Sequence, residues 1–281
     1  MPSDTMGLAL NTISFFHLHV ADFCIVLDFS KIETPRVKKN IMQMIYLHYH
    51  AYIFNNCGKP PSYKIKFVST DEIDFSTKKH EKYIDYYIRL FHFKKKTIHT
   101  YEHISIAHLQ LLMKILIQRL LLQTDGFLFH ASSVIDKEGL LIFAGPNTAG
   151  KSTIARGLTD RYRPFTDDTL IVRKRKNVWC GYQMPVDVND YIYDRNAMAV
   201  PVKAIFFLNK DTKLAVKRIN KNNIDITLFM KQLSVGTAYK NHIRSLFNFV
   251  AKIKHVFRLR FPKNIDGVKF EACIKSVVQK S

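Results

Sequence analysis

Residues 145–152 read GPNTAGKS, and no other stretch of the chain restricts its fold so tightly. The spacing G-x-x-x-x-G-K-[ST] needs a strand running into a glycine-rich turn and a helix leaving it. Both flanks are present. LLIFA at 140–144 is an apolar run suited to a central strand, and STIARGLTDRY at 152–162 sets Ile154 and Leu158 on one helical face. Gly145 and Gly150 permit backbone angles that other residues resist. The turn can then aim its N–H groups at phosphate oxygens, with the positive end of the helix behind them. On this reading Gly145, Pro146, Asn147, Thr148, Ala149, Gly150, Lys151, Ser152 and Thr153 hold the phosphates of ATP. Lys151 reaches the β- and γ-phosphates and the Ser152 hydroxyl ligates Mg2+. The loop touches phosphates alone, so the base is left open.

The residues after the loop exclude the commonest owners of such a motif. A GTPase reads its base with N-K-x-D, but in FFLNKDTK at 206–213 Asp211 follows Lys210 directly and Thr212 holds the required position. An L-S-G-G-Q-like signature of the transporter ATPases is also missing. What does follow is FTDDTLIV at 165–172, with Asp167 and Asp168 fifteen and sixteen residues beyond Ser152. A helix of about three turns and a returning strand would bring both back beside the phosphates. Adjacent residues on a strand or turn point apart, so two roles are natural: one carboxylate holds Mg2+ and the other accepts a proton from an attacking hydroxyl. By itself an Asp-Asp pair reads as a surface turn; the loop upstream gives it a chemical reading. His130, in FHASSV, lies fifteen residues before Gly145. If 127–135 and 140–144 pair as a hairpin, His130 falls near the phosphate end, although a lone histidine is more often structural.

Taken together, H130-A-S-S-V, G139-L-L-I-F-A-G-P-N-T-A-G-K-S-T and T166-D167-D168 resemble the catalytic domain of the HPr kinase/phosphorylase family. The match is best over 125–173 and extends to G181-Y-Q-M-P185 and to the strand V202-K-A-I-F-F-L208. The resemblance implies an α/β or α+β fold with a phosphate-loop kinase core related to phosphoenolpyruvate carboxykinases. It implies Asp167 as general acid/base, Asp168 and Ser152 at Mg2+, Lys151 on the phosphates and His130 near the transferred group. The founding enzymes carry a glycine-rich signature with a glutamate and an arginine after the Asp-Asp strand; here VWCGYQMPVDVND (178–190) stands in its place. The chain is more similar to diverged relatives found beside peptide-modification genes, including lasso-peptide kinases. The expected reaction is ATP-dependent, Mg2+-assisted transfer of phosphate to a hydroxyl of a peptide, protein or small molecule. The alternatives are a non-catalytic ATP-binding sensor and a nucleic-acid-stimulated NTPase or kinase.

The rest of the chain sets boundaries. A net charge of +20 favours anionic partners, and residues 238–263 carry seven Lys or Arg and no Asp or Glu. That segment would suit an acidic acceptor. No helix-turn-helix, zinc finger or RNA-binding signature accompanies the charge, which counts against specific nucleic-acid binding. Relatives of the resembled family are often oligomers, but the sequence carries no symmetry argument. H-x-x-E-H at 99–103 fits an inverted zinc-protease pattern, yet with twelve histidines such spacing arises by accident, and no third ligand is apparent. The four scattered cysteines read as thiols of a reducing compartment, MPSDTMGLAL has no basic residue ahead of its apolar ones, and LLMKILIQRLLLQ is too short and too charged to span a bilayer. The expectation is therefore a cytoplasmic protein. Residues 1–124 read as a strand-rich region with strands within 12–30, 63–68, 83–93 and 97–100, an ambiguous stretch at 36–54 and a helix over 102–123. Residues 125–281 read as the catalytic domain.

Overall fold

The structure is a computed structural model and describes residues 13–56, 58, 60–69, 91–92, 96–185, 191–192, 194–234, 239–263 and 267–278. It is a mixed α/β protein with two sheets, and it divides into two units, Met1–Ile117 and Gln118–Ser281.

In the first unit, β1 (Phe15–Val20) and β2 (Phe23–Asp28) form a hairpin across Ala21 and Asp22. Both turn residues have positive φ (49° and 62°), the pattern of a two-residue turn whose twist matches that of the flanking strands. Helix α1 (Pro35–Tyr49) begins with proline in its first turn, where a missing N–H leaves no bond unmade, and buries Ile41, Met42, Ile45 and Tyr49 along one face. The stretch read as ambiguous at 36–54 is thus helix up to Tyr49, then a short turn and strand β3 (Ile53–Phe54). With β4 (Tyr63–Val68), β5 (Phe91–His92) and β6 (Thr97–Tyr101), the sheet runs β3-β1-β2-β4-β6-β5. Most of the expected strand at 83–93 lies outside the described residues. His99 sits on strand β6, so H-x-x-E-H does not lie on a helix and its spacing does not stack two imidazoles. Cys24 is disulfide-bonded whereas Cys180 and Cys273 are free, so the reading of four idle thiols fails at Cys24.

Helix α2 (Ile106–Leu122) precedes the second sheet, which is built from β7 (Gly126–Ile135), β8 (Leu140–Ala144), β9 (Arg163–Thr166), β10 (Thr169–Arg175), β11 (Val178–Gln183), β12 (Val200–Lys210), β13 (Ala215–Arg218) and β14 (His255–Phe261). The order is β11-β10-β7-β8-β12-β14-β13, and β9 also pairs with β7. Strands β8, β12 and β14 are parallel and carry apolar residues on both faces, as a doubly covered sheet requires. Ile142, Ala144, Ile205 and Phe207 point into one core, which helix α5 (Tyr239–Lys252) covers with Leu246 and Phe249. Leu141, Phe143, Phe206 and Leu208 point into the other, packed by α3 (Lys151–Gly157) and α6 (Gly267–Val278). Helix α4 (Ile226–Met230) adds Phe229 to the first core. Phe143 stacks on Phe206 at 5.5 Å and meets Phe270 at 6.4 Å. Each such pair contributes about 0.5–1.5 kcal/mol beyond burial, which fixes the strand leading to the glycine-rich loop. No helix among the described residues is long and apolar enough to cross a membrane.

Candidate functional site

Strand β8 ends at Ala144, α3 begins at Lys151, and the six residues between turn back on themselves. Thr148 (φ 66°) and Gly150 (φ 93°) are left-handed, and Ala149 N donates to Pro146 O at 3.1 Å. Left-handed residues alternating with right-handed ones turn successive N–H groups into one concavity, a shape that favours anions. The φ of Gly150 favours glycine, and a Cβ there would also press on the Phe261 ring at 3.2 Å. Helix α3 has seven residues, shorter than the expected 152–162. Gly157 weakens it, and the Thr159 hydroxyl donates to Arg156 O at 2.9 Å, drawing off a carbonyl at the helix end. Lys151 is buried, and its Nζ donates to Gly145 O (2.9 Å) and Pro146 O (3.2 Å). Burial lowers its pKa, and the fields of Asp168 and Asp167 partly restore it.

Strand β7 brings the predicted carboxylates to this loop. Its second half pairs with β8, Ala131 opposite Ala144, so the expected hairpin is present. On its other edge His130 faces Thr169 and Ser133 faces Thr166. Carried through the two residues between, that register sets Ser132 opposite Asp167 and Ala131 opposite Asp168. The Ser132 hydroxyl lies 2.9 Å from Asp167 Oδ1 and 2.7 Å from Asp167 O, and Ala131 N donates to Asp168 O at 3.1 Å. Ser133 and Thr166 share a hydroxyl–hydroxyl bond of 2.7 Å. The aspartates then point apart. Asp167 is buried at 9% exposure, whereas the Asp168 side chain is 58% exposed and meets His130 Nδ1 at 3.0 Å. The hydrogen bond that His130 donates to Asp168 raises the His130 pKa against burial and the nearby Lys151. One strand therefore links His130, the loop and both carboxylates.

Two residues beyond the motifs belong to the same cluster. The Tyr191 hydroxyl is buried beside Asp167, its pKa raised by burial and then by its interaction with Asp167, and Arg156 covers its ring at 5.0 Å. Gln232 is buried; its backbone O accepts from His130 N at 2.7 Å, and its amide, turned to satisfy both neighbours, donates to Gly145 O (2.8 Å) and His130 O (3.2 Å). Nothing in the local sequence marks either residue. Gln232 reaches the site through a bridge between Phe129 and Leu233, more than a hundred positions apart.

Two clefts open on the loop. One, of about 530 Å³, is lined by His130, Gly145, Pro146 and Asn147 together with Lys231 and Arg258. The other, of about 390 Å³, is lined by Thr148, Gly150, Lys151, Ser152 and Thr153 together with Phe261. The nine loop residues read from the sequence thus line one cleft or the other, apart from Ala149, which is packed in the core behind them. A further cavity of about 220 Å³ lies by the turn before β8, where Lys203 bonds Asp136 (2.9 Å) and Glu138 (2.6 Å), and it contains none of the predicted site residues.

The sequence model of a family described as "SynChlorMet cassette protein ScmC" matches residues 94–241, just over half of the chain. No curated protein matches it. Among solved structures, the Hpr(Ser) kinase/phosphatase from Coxiella burnetii is similar at 14% identity, over 54% of this chain and 91% of that one, with a TM-score of 0.33. At that score the likeness carries no argument about function.

Proposed function

This chain belongs to the ScmC family of SynChlorMet cassette proteins, and we propose that it is a kinase whose catalytic residues lie in 125–281 and which transfers the γ-phosphate of ATP to a hydroxyl of a peptide, protein or small molecule. The observation that carries this reading is the β7 register, which holds a buried carboxylate, an exposed carboxylate and a histidine against a phosphate-type loop.

The residues divide the work by exposure and partner. The loop N–H groups and Lys151 bind the phosphate chain, and the Lys151 ammonium offsets charge developing on the β–γ bridge. Asp167, steadied by Ser132, accepts the proton of the attacking hydroxyl. The acceptor oxygen forms its bond to the γ-phosphorus as the bond to the β-phosphate oxygen breaks, and ADP leaves with the electron pair. His130, held by Asp168, lies at the loop's start, where it can donate to the transferred group. A metal beside the phosphates would find one hydroxyl, Ser152, and one accessible carboxylate, Asp168. Among the described residues no cluster of three or more His, Cys, Asp or Glu offers an all-protein cage. That donor set fits Mg2+, which takes one or two protein oxygens and completes its shell with phosphates and water. When bound, Mg2+ neutralises phosphate charge.

The test is transfer of label from γ-labelled ATP, with wild type and Asp167→Asn, into the peptide and small-molecule fractions of an extract of the source cells. The expected result is label in one fraction with wild type and a loss of about 10²–10⁴-fold in the variant. Equal labelling by the variant would remove Asp167 as base. No transfer by a protein that still binds ATP would make the chain a nucleotide-binding module.

A further inference from the structure

The cleft that contains His130 has an uneven lining. Its lining includes the apolar Phe207, Leu208 and Leu228 beside the exposed cations Lys231 and Arg258. Among the described residues neither cation makes an ion pair or a side-chain hydrogen bond. Arg258 sits beside Phe207 of β12 and directly across from Lys217 of β13. Like charges facing each other across an antiparallel pair destabilise a sheet, so this arrangement calls for an anion. The carboxylate that feels both cations is Asp225. Its pKa is lowered first by the bonds from Thr227 that make it the cap of α4, and then by Lys231 and Arg258. That carboxylate is already engaged in capping, and it stands against two cations.

The acceptor's place follows from which cleft includes His130, the partner of Asp168. His130 contacts Asp168 and lines this cleft, whereas the other cleft surrounds Ser152 and Thr153 and lacks His130. The phosphate chain then runs along the loop that both clefts share, with the nucleoside on the side of Phe261 and the attacking hydroxyl on the side of His130. We propose that the cleft of about 530 Å³ is the acceptor subsite and that Arg258 and Lys231 bind a carboxylate of the acceptor, which is an acidic, hydroxyl-bearing peptide. The proposal rests on the kinase reading. Apolar residues and cations in one lining suit a peptide side chain flanked by Asp or Glu. A nucleic acid would need an exposed stacking ring, and Phe207 is buried.

The experiment uses an array of nonapeptides with a central serine and degenerate flanks, probed with full-length fluorescent protein, with mant-ATP binding measured on the same preparations. Wild type should favour Asp or Glu flanks over Gln by about tenfold or more. Arg258→Glu should reverse that preference toward Lys or Arg. It should also remain folded, since it faces Lys217 with an opposite charge. Absence of an acidic preference in wild type, its survival in Arg258→Glu and Lys231→Glu, or stronger competition by oligonucleotide than by acidic peptide would each overturn the proposal. A tenfold loss of mant-ATP affinity in Arg258→Glu with peptide binding intact would assign the cleft to the nucleoside and overturn it as well. Wild type that binds acidic peptides but not mant-ATP would remove the kinase reading and leave the carboxylate-binding cleft standing.

Discussion

Replacing Ser132 by alanine isolates the contact on which the buried carboxylate depends. Ser132 is fully buried, and its single hydroxyl proton is shared between Asp167 O (2.7 Å) and Asp167 Oδ1 (2.9 Å), with Asp167 itself 9% exposed. Without Ser132 a largely buried carboxylate oxygen loses its hydroxyl partner, at a cost of about 2 kcal/mol. With a urea dependence of about 2 kcal/mol/M, the midpoint should fall by about 1 M. The chain supplies its own probe: its single tryptophan, Trp179, is 6% exposed and packs edge-on to Phe249 at 5.3 Å in the core of the second unit. Urea unfolding followed by Trp179 emission therefore reports the unit that holds the site. Asp167→Ala and the double variant complete a cycle whose coupling should be about 1.5–3 kcal/mol, the range for a hydrogen bond to a charged group. Ser133→Ala, which breaks the neutral bond to Thr166, should cost less, about 1 kcal/mol. If Ser132→Ala and Asp167→Ala add to within about 0.5 kcal/mol, the two side chains are independent and the positioning role of Ser132 is refuted.

Three further outcomes are expected. Gly150→Ala sets a Cβ against Phe261 at a φ of 93°, so the urea midpoint should drop by about 0.5–1 M and mant-ATP affinity should fall with it. Lys151→Met should weaken mant-ATP binding by about tenfold or more. Because the folded Lys151 pKa is depressed below its ordinary 10.5, the unfolded chain binds more protons between the two values. Wild-type stability should thus rise relative to the variant as pH climbs toward 10.5, and urea midpoints from pH 8 upward that track together would contradict this. The His130 pKa is raised above 6.5, so its pairing with Asp168 stabilises fully below 6.5 and is lost as pH rises through the folded value. His130→Gln should remove that decline, read as the difference between the two stability–pH curves.

What could be read from the sequence was local or nearly so. The loop is a contiguous spacing, β8 is a short apolar run, and the hairpin with β7 spans a four-residue turn marked by Asp136 and Gly139. Asp167 and Asp168 return to the loop as expected, although not by one unbroken strand: β9 ends at Thr166 and β10 starts at Thr169, and the aspartates occupy the bend. Helix α3 is shorter than its apolar spacing predicted because Gly157 and Thr159 act on the backbone rather than on the pattern. Gln232 and Tyr191 were invisible for a different reason. Each reaches the site by tertiary packing, and an isolated glutamine or tyrosine in a sequence carries no mark of the buried neighbour it will acquire. Of the two cations of the large cleft, Arg258 fell within the basic segment 238–263 and Lys231 fell outside it. Their selection came with the sheet, which turns Arg258 and Lys217 to one face.

Strand β8 has a consequence for biosynthesis. One edge of this apolar strand is covered within the same short segment by β7, but the other pairs with β12, more than fifty residues later, and β12 in turn waits for β14. While the C-terminal third of the chain is still being made, the strand that leads into the loop has an unpaired, hydrophobic edge of the kind that recruits other chains. The site residues between 130 and 168 are therefore synthesised well before the strands that shield them. Chains terminated ahead of β12 would carry every catalytic motif and yet be expected to aggregate.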